Sequence, residues 1–380
     1  MKEFLKEYNQ VIFIIFFIAA ITFSVLINGL FLKFFRTLGI RNNADGTVIR
    51  WGELSKPSVG GITFYIVFLL SIASYTVLFN PTENTYHYAF VGLLLSCASG
   101  FLLGLADDAY DTRPFLKFGI QLLCGFILIA SGIVINISSS FILNDILTLF
   151  WVVGIMNSIN MLDNMDGITA IVASGIILNA ILKIIIYNDI SNMHFFALLG
   201  VLASLIAFLR YNWYPSKMYM GDTGSQFLGI FLAAIGIIYF WNDPYSIVHP
   251  PASGKLIASA VMVFILPILD TTVVVVNRLS KGKSPFIGGK DHTTHSLAYL
   301  GLTDRQVAWV FIALTLCSLS LNIMIEEYLT VIWTHIYTAF FALYFFGMLG
   351  LFFYTTRRKP KTEPQEERMT ASHEMEKVHR

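Results

Sequence analysis

Residues 157–167 read NSINMLDNMDG. The stretch lies between two apolar runs, 141–158 and 167–187, and sets Asn157, Asn160, Asp163 and Asp166 at a spacing of three. Two carboxylates and two carboxamides where an apolar segment meets water are poorly explained as packing. They suit a site for a hard cation and a polar substrate, since oxygen donors are what such a cation takes and what a membrane segment otherwise avoids.

The surrounding chain has the composition of a membrane protein. Of its 380 residues 56% are hydrophobic and 13% charged, against about 25% charged in a soluble domain. The apolar runs are continuous and about 20 residues long, which argues for helices and against a transmembrane β-barrel. Eleven spans are expected, at 11–33, 59–79, 88–106, 115–135, 141–158, 167–187, 193–210, 224–241, 256–277, 307–325 and 330–354. The fold class is thus an all-α polytopic transmembrane helix bundle, with 1–354 as the membrane domain and 355–380 as a charged, disordered tail. Cys97, Cys124 and Cys317 all fall in apolar runs, so buried free thiols are expected, with no disulfide framework. The first run ends in FLKFFR, without a small-residue cleavage site, and should remain as a helix.

The basic residues set an orientation. Four of the 25 Lys and Arg are Lys2, Lys6, Lys255 and Lys183; the first three read as outside and the last as intrahelical, which leaves 21 in loops on the opposite side and in the tail. The positive-inside rule then puts the N-terminus out and the C-terminus in. Every loop with chemical character (50–61, 107–117, 157–167, 210–225 and 278–306) falls on the cytoplasmic side.

Those loops carry the candidate residues. DDAYDTRPFLK holds Asp107, Asp108, Asp111 and Lys117. As a solvated acidic helix end it would be unremarked, but beside Asp163, Asp166 and Asp222 the carboxylates repel unless a cation or basic group compensates. YMGDTGSQFLG places Asp222 between glycines at a helix start, with Thr223 and Ser225 as caps or phosphate donors. GGKDHTTHSL carries Lys290, His292 and His295, with Arg278, Lys281 and Lys283 nearby. It reads as a basic cradle for a diphosphate; two histidines without a cysteine support zinc only weakly. Lys56, in KPSVGG, could join the cradle or serve as an interface anchor. Asp270 lies within an apolar run and is either functional or bonded to a neighbouring helix. GKS at 282–284 lacks the upstream glycine of a phosphate-binding loop, and no GxGxxG opens a dinucleotide fold.

Taken together, KPSVGG, DDAYD with Lys117, NSINMLDNMDG, GDTGS and the RLSKGKSPF…KDHTTH loop resemble, in order, the motifs of the polyprenyl-phosphate N-acetylhexosamine-1-phosphate transferase family. The resemblance covers most of residues 50–300 and is closest to the WecA-like type. It implies a bundle of ten or eleven transmembrane helices in the cell inner membrane. It implies transfer of a sugar 1-phosphate, N-acetylglucosamine 1-phosphate above others, from a UDP-sugar to undecaprenyl or another polyprenyl phosphate. UMP is released, as a first membrane step of cell-envelope polysaccharide synthesis. Mg2+ is the implied cofactor, with Mn2+ as a substitute. Asp222 and Asn160 match metal-binding positions; Asp107 and Asp108 the paired acids near the lipid phosphate; Lys117 a phosphate contact; Asp166 and Gly167 the uridine pocket; Arg278, His292 and His295 the loop over diphosphate and sugar. Asn157, Asp163, Lys56 and Lys290 complete the expected substrate-binding set.

The expected partners are a UDP-sugar, the polyprenyl lipid and the membrane, with a homodimer as an option and no nucleic acid. MraY-type enzymes carry three consecutive histidines where this chain has His292-Thr-Thr-His295, so a phospho-MurNAc-pentapeptide transferase is the alternative. Thr293 and Thr294 are the expected hydrogen-bonding partners of the aminosugar. A cation-coupled transporter is the remaining rival, and it should place its polar groups near the midplane in broken helices.

Overall fold

The computed structural model describes residues 9–38, 40–42, 48–50, 56–79, 88–190, 192–246, 252–284, 289 and 291–358. Helix α1 (Asn9–Leu38) is followed by a two-stranded antiparallel hairpin, β1 (Ile40–Asn42) with β2 (Val48–Arg50). Then come α2 (Gly60–Phe79), α3 (Tyr88–Tyr110), α4 (Pro114–Ala130), α5 (Phe141–Leu162), α6 (Ile168–Ile186) and α7 (Met193–Asn212). Helix α8 (Gly221–Gly236) runs on through a π turn, Ile237–Trp241. Helices α9 (Ser253–Val263) and α10 (Ile265–Ser280) precede the short α11 (Thr293–Tyr299). Helix α12 (Asp304–Ile323) ends in a second π turn, Met324–Leu329, and α13 (His335–Arg357) closes the described chain.

All eleven expected segments are helical, but they are not eleven equal spans. Among the described residues nine helices are long and apolar enough to cross a membrane, or ten if α9 and α10 count as one. The expected span 256–277 is broken, with α9 and α10 meeting at 77°. Pro267 is the cause we identify: its ring clashes with the carbonyl four residues back, that of Val263, the last residue of α9. The expected span 115–135 is only Pro114–Ala130. It stops in a Schellman turn, in which Gly132 at φ 86° and Ile133 return their N–H groups to the carbonyls of Ile129 and Leu128. The residues beyond 358, where the disordered tail is expected, lie outside the described residues.

Helix α8 is the axis of the bundle. In its spanning segment 94% of the apolar stretch is buried, against 17% in α1 and 11% in α13 at the margin. It packs against α3, α5 and α2. Its sequence is apolar on every side, as a fully surrounded helix requires. Because α8 starts at Gly221, its first turn brings GDTGS to the bundle end where α3 and α5 finish and α4 and α6 begin.

The opposite end holds a second polar assembly. Lys183 of α6, Asp243 after α8, Lys255 of α9 and Glu326 in the π turn of α12 are all buried. Lys183 lies 2.8 Å from both Asp243 and Glu326, and Lys255 lies 2.6 Å and 3.2 Å from the same two carboxylates. Two positive and two negative charges therefore compensate one another inside the bundle. Lys255, expected in an outside loop, is a buried member of this quartet.

Candidate active site

Asp108, on the last turn of α3, is bonded to the start of α8. Its carboxylate accepts the backbone N–H of Asp222 and of Thr223, each at 2.9 Å, and the Thr223 hydroxyl at 2.6 Å. The expected caps of α8 are its own Thr223 and Ser225; the cap is supplied instead from the end of α3. A side chain at Gly221 (φ 73°) would meet the Asp108 carboxylate at 2.6 Å, so the cap requires glycine there. The KPSVGG segment runs beside the same turn. Gly60 and Gly61 donate to the carbonyls of Tyr219 and Met220, and Tyr219 donates to that of Pro57.

Asp107 has a different task. It is buried, accepts the Thr112 N–H at 2.8 Å and its hydroxyl at 2.7 Å, and pairs closely with Lys117. The Lys117 ammonium also stands 3.6 Å from Asp222. It thus lies between two carboxylates on different helices. Asn160 completes the group, its amide nitrogen donating to Asp222 Oδ1 at 2.7 Å and Ser225 Oγ at 2.9 Å. Through its amide nitrogen Asn160 orients Asp222, and the residue lines both cavities described below. Asn157 sits one turn earlier on α5, bonded to Gln121, which in turn donates to Gln226. Sequence reading missed both buried glutamines; polar residues within apolar runs were their one signal.

Two cavities open here. One, of about 380 Å³, is lined by Ser58, Asp108, Asp166, Asn212, Tyr219 and Asp222. The other, of about 660 Å³, runs from Lys117, Arg278 and His292 to the apolar side chains of Phe118, Val153 and Val275. They share one wall, formed by Asn160, Asp163 and Asn164. Burial pushes the Asp163 carboxyl up to about 7, helped by the charges of Asp222, Asp108 and Asp166. The wall between the cavities is a place of anionic crowding.

Asp166 accepts the Ser216 N–H at 2.9 Å and hydroxyl at 2.8 Å. Lys56 donates to the same hydroxyl at 2.8 Å, stands 3.9 Å from Asp166 and lies over the Tyr219 ring. Gly167 donates its N–H to Asn212. Arg278 makes a two-pronged pair with Asp291, at 2.8 and 2.7 Å, and those bonds hold the Asp291 carboxyl below its usual range. His292 is buried against Asp270.

Other expectations fare differently. His295 lines neither cavity; its ring faces His292 at 6.3 Å and stacks over Tyr299. Lys290 lies outside the described residues. Thr294 is fully buried and its hydroxyl donates to Asn164, while Thr293 is buried and bonded through its N–H to Asp270. Thr294 thus ties α11 to the loop after α5 and Thr293 ties it to α10, and both side chains are buried away from the two cavities. The polar groups lining the two cavities gather at one end of the bundle rather than around the break between α9 and α10, against the transporter expectation.

Residues 90–240 match the sequence model described as glycosyl transferase family 4. A probable undecaprenyl-phosphate N-acetylglucosaminyl 1-phosphate transferase of Bacillus subtilis (strain 168) is 27% identical over 261 residues, covering 66% of this chain and 68% of its own. An undecaprenyl-phosphate alpha-N-acetylglucosaminyl 1-phosphate transferase of Escherichia coli (strain K12) is 26% identical over 289 residues, 72% and 73% of the two chains. A phospho-N-acetylmuramoyl-pentapeptide-transferase of Streptococcus agalactiae serotype III (strain NEM316) is 28% identical over 240 residues, 58% and 71%. With its motifs in order and its helices assembled around them, the chain is similar to glycosyl transferase family 4 over residues 90–240 and to these polyprenyl-phosphate sugar-phosphate transferases over about two thirds of its length.

Proposed function

We propose that the protein transfers N-acetylglucosamine 1-phosphate from its UDP-sugar to a polyprenyl phosphate, releasing UMP. The observation that carries this reading is the pair of cavities meeting at Asn160, Asp163 and Asn164. One is polar and carboxylate-lined; the other joins cationic side chains to an apolar flank. A nucleotide sugar suits the first, and a phosphate on a hydrocarbon chain suits the second. In the reaction an oxygen of the lipid phosphate bonds to the sugar-proximal phosphorus. The bond from that phosphorus to the bridging oxygen breaks, and UMP leaves with the electron pair. A phosphate dianion needs no base for this, so the work falls to positioning and charge compensation. Lys117 and Arg278 supply fixed positive charge, with Arg278 exchanging Asp291 for phosphoryl oxygens. Asp107 holds Lys117 in place.

Among the described residues no three His, Cys, Asp or Glu side chains converge to enclose a metal. Mg2+ needs no such cage, because it is commonly held by one or two carboxylates together with substrate phosphates. Asp222, oriented by Asn160, and Asp163, crowded by three other acids, fit that role. When bound, the ion would neutralise charge gathering on the diphosphate. The basic asymmetry of the loops supports a site on the cytoplasmic face of the inner membrane. The choice of sugar rests on the names of the Bacillus and Escherichia relatives. The test is purified protein with polyprenyl phosphate, Mg2+ and a panel of UDP-sugars including the muramoyl pentapeptide, scored by UMP release and mass of the lipid product. Dominance of the muramoyl lipid would reassign the substrate, and no release with any sugar would end the reading.

A further inference from the structure

Asp270 is fully buried in α10, six residues past the break, and both its oxygens are used. Oδ2 lies 2.9 Å from His292 Nδ1, and Oδ1 accepts the Thr293 N–H at 2.8 Å. His292 is buried apart from the part that lines the larger cavity, beside Lys117, Arg278 and Asn164. We propose that Asp270 is a positioning residue, which fixes the proton of His292 on Nδ1 and leaves Nε2 as the nitrogen offered to the phosphoryl end of the cavity.

The chemistry is one of matching donors to acceptors. An ionised carboxylate only accepts, so the ring nitrogen facing it must carry the proton in either charge state of the imidazole. A carboxylate within an apolar bundle is costly unless bonded, and Asp270 is bonded through both oxygens to the start of α11. The same contacts set the ring and the helix that bears it. The cavity-facing nitrogen then accepts a proton when neutral and donates one when charged, beside the oxygens that lose and gain charge in phosphoryl transfer.

The Asp270→Asn variant separates this from a packing role. An amide has one acceptor oxygen in place of two. If that oxygen keeps the Thr293 N–H, the NH2 group faces His292 and forces the proton onto Nε2. Comparable reversals behind a histidine cost up to about 10⁴ in kcat in other enzymes. The activity arm rests on the transferase reading; a spectroscopic arm does not. In the latter, nitrogen-15 spectra of the histidine-labelled full chain are recorded, and His292 is assigned by its loss in His292→Gln. The expected result is a protonated Nδ1 in the wild type and a protonated Nε2 with bare Nδ1 in Asp270→Asn. A bare Nδ1 in the wild type would overturn the inference whatever the protein's activity. In the activity arm, Asp270→Asn should lower kcat at least about tenfold with KM for the UDP-sugar little changed. It should add no further loss in a His292→Gln background. Losses that multiply in the double variant, or wild-type kcat in Asp270→Asn, would also overturn it. Failure of the wild type to turn over any UDP-sugar would strike the transferase reading alone, with the nitrogen spectra still deciding this one.

Discussion

Asp108 accepts the backbone N–H of Asp222 at 2.9 Å, across 114 residues of chain. Its neighbour Asp107 makes no such bond and pairs with Lys117 instead. Adjacent acids on the last turn of α3 thus serve separate ends, one holding a helix start and the other holding a cation.

Asp108→Ala should therefore weaken both fold and turnover. It removes the acceptor of three hydrogen bonds at the start of α8, and loss of a helix cap costs about 0.5–2 kcal/mol. We expect a lower melting temperature in detergent and at least about a tenfold fall in UMP release, since Asp222 moves with the turn. Asp108→Asn, which keeps one acceptor oxygen, should lie between. Unchanged melting and turnover in Asp108→Ala would remove the cap from the account.

Asp222→Asn should lower turnover by about 10²–10³, the usual loss when one charge-stabilising group is removed from a transition state. Insertion and melting should stay near wild type, because the side chain is a third exposed and keeps Asn160 as a neighbour. Turnover near normal at ordinary Mg2+ would contradict the role proposed for it.

Asp163 links stability to pH. Its folded pKa of about 7 exceeds the unfolded value of about 3.9, so the folded state binds the proton more tightly. The stability contributed by this group is complete below pH ~4 and is lost as pH rises through about 7. Melting temperature without added metal should fall between pH 5 and 8 and vary less in Asp163→Asn. Addition of Mg2+ at pH 8 should raise the wild type more than the variant. A melting profile with the same slope in both proteins would count against it.

Orientation is open to labelling. In a cysteine-free background, Ser284→Cys, after α10, and Ser139→Cys, before α5, stand at opposite ends of the bundle. An impermeant thiol reagent applied to intact cells should modify Ser139→Cys and spare Ser284→Cys. The reverse pattern would place the candidate site outside.

The helices were legible because the apolar runs are long, and their order of motifs foretold which ends would meet. Partners within the site were less so. Nothing local distinguishes Asp107 from Asp108; their tasks follow from which side of α3 faces α8. The fate of Thr294 depended on Asn164, 130 residues away. The break at Phe264 was available in principle, since Pro267 is plain in the sequence, but prolines in membrane helices are often absorbed without one. Gln121 and Gln226 were passed over because each interrupts an apolar run singly, and only their meeting gives them a role.

The quartet of Lys183, Asp243, Lys255 and Glu326 bears on how the chain is made. Its members enter the membrane in sequence order. Once α9 is in place, two lysines face one aspartate, and the ledger stays one positive charge out until Glu326 arrives with α12. A chain without α12 would hold two buried ammonium groups against one carboxylate, so charge balance at this end of the bundle waits on Glu326.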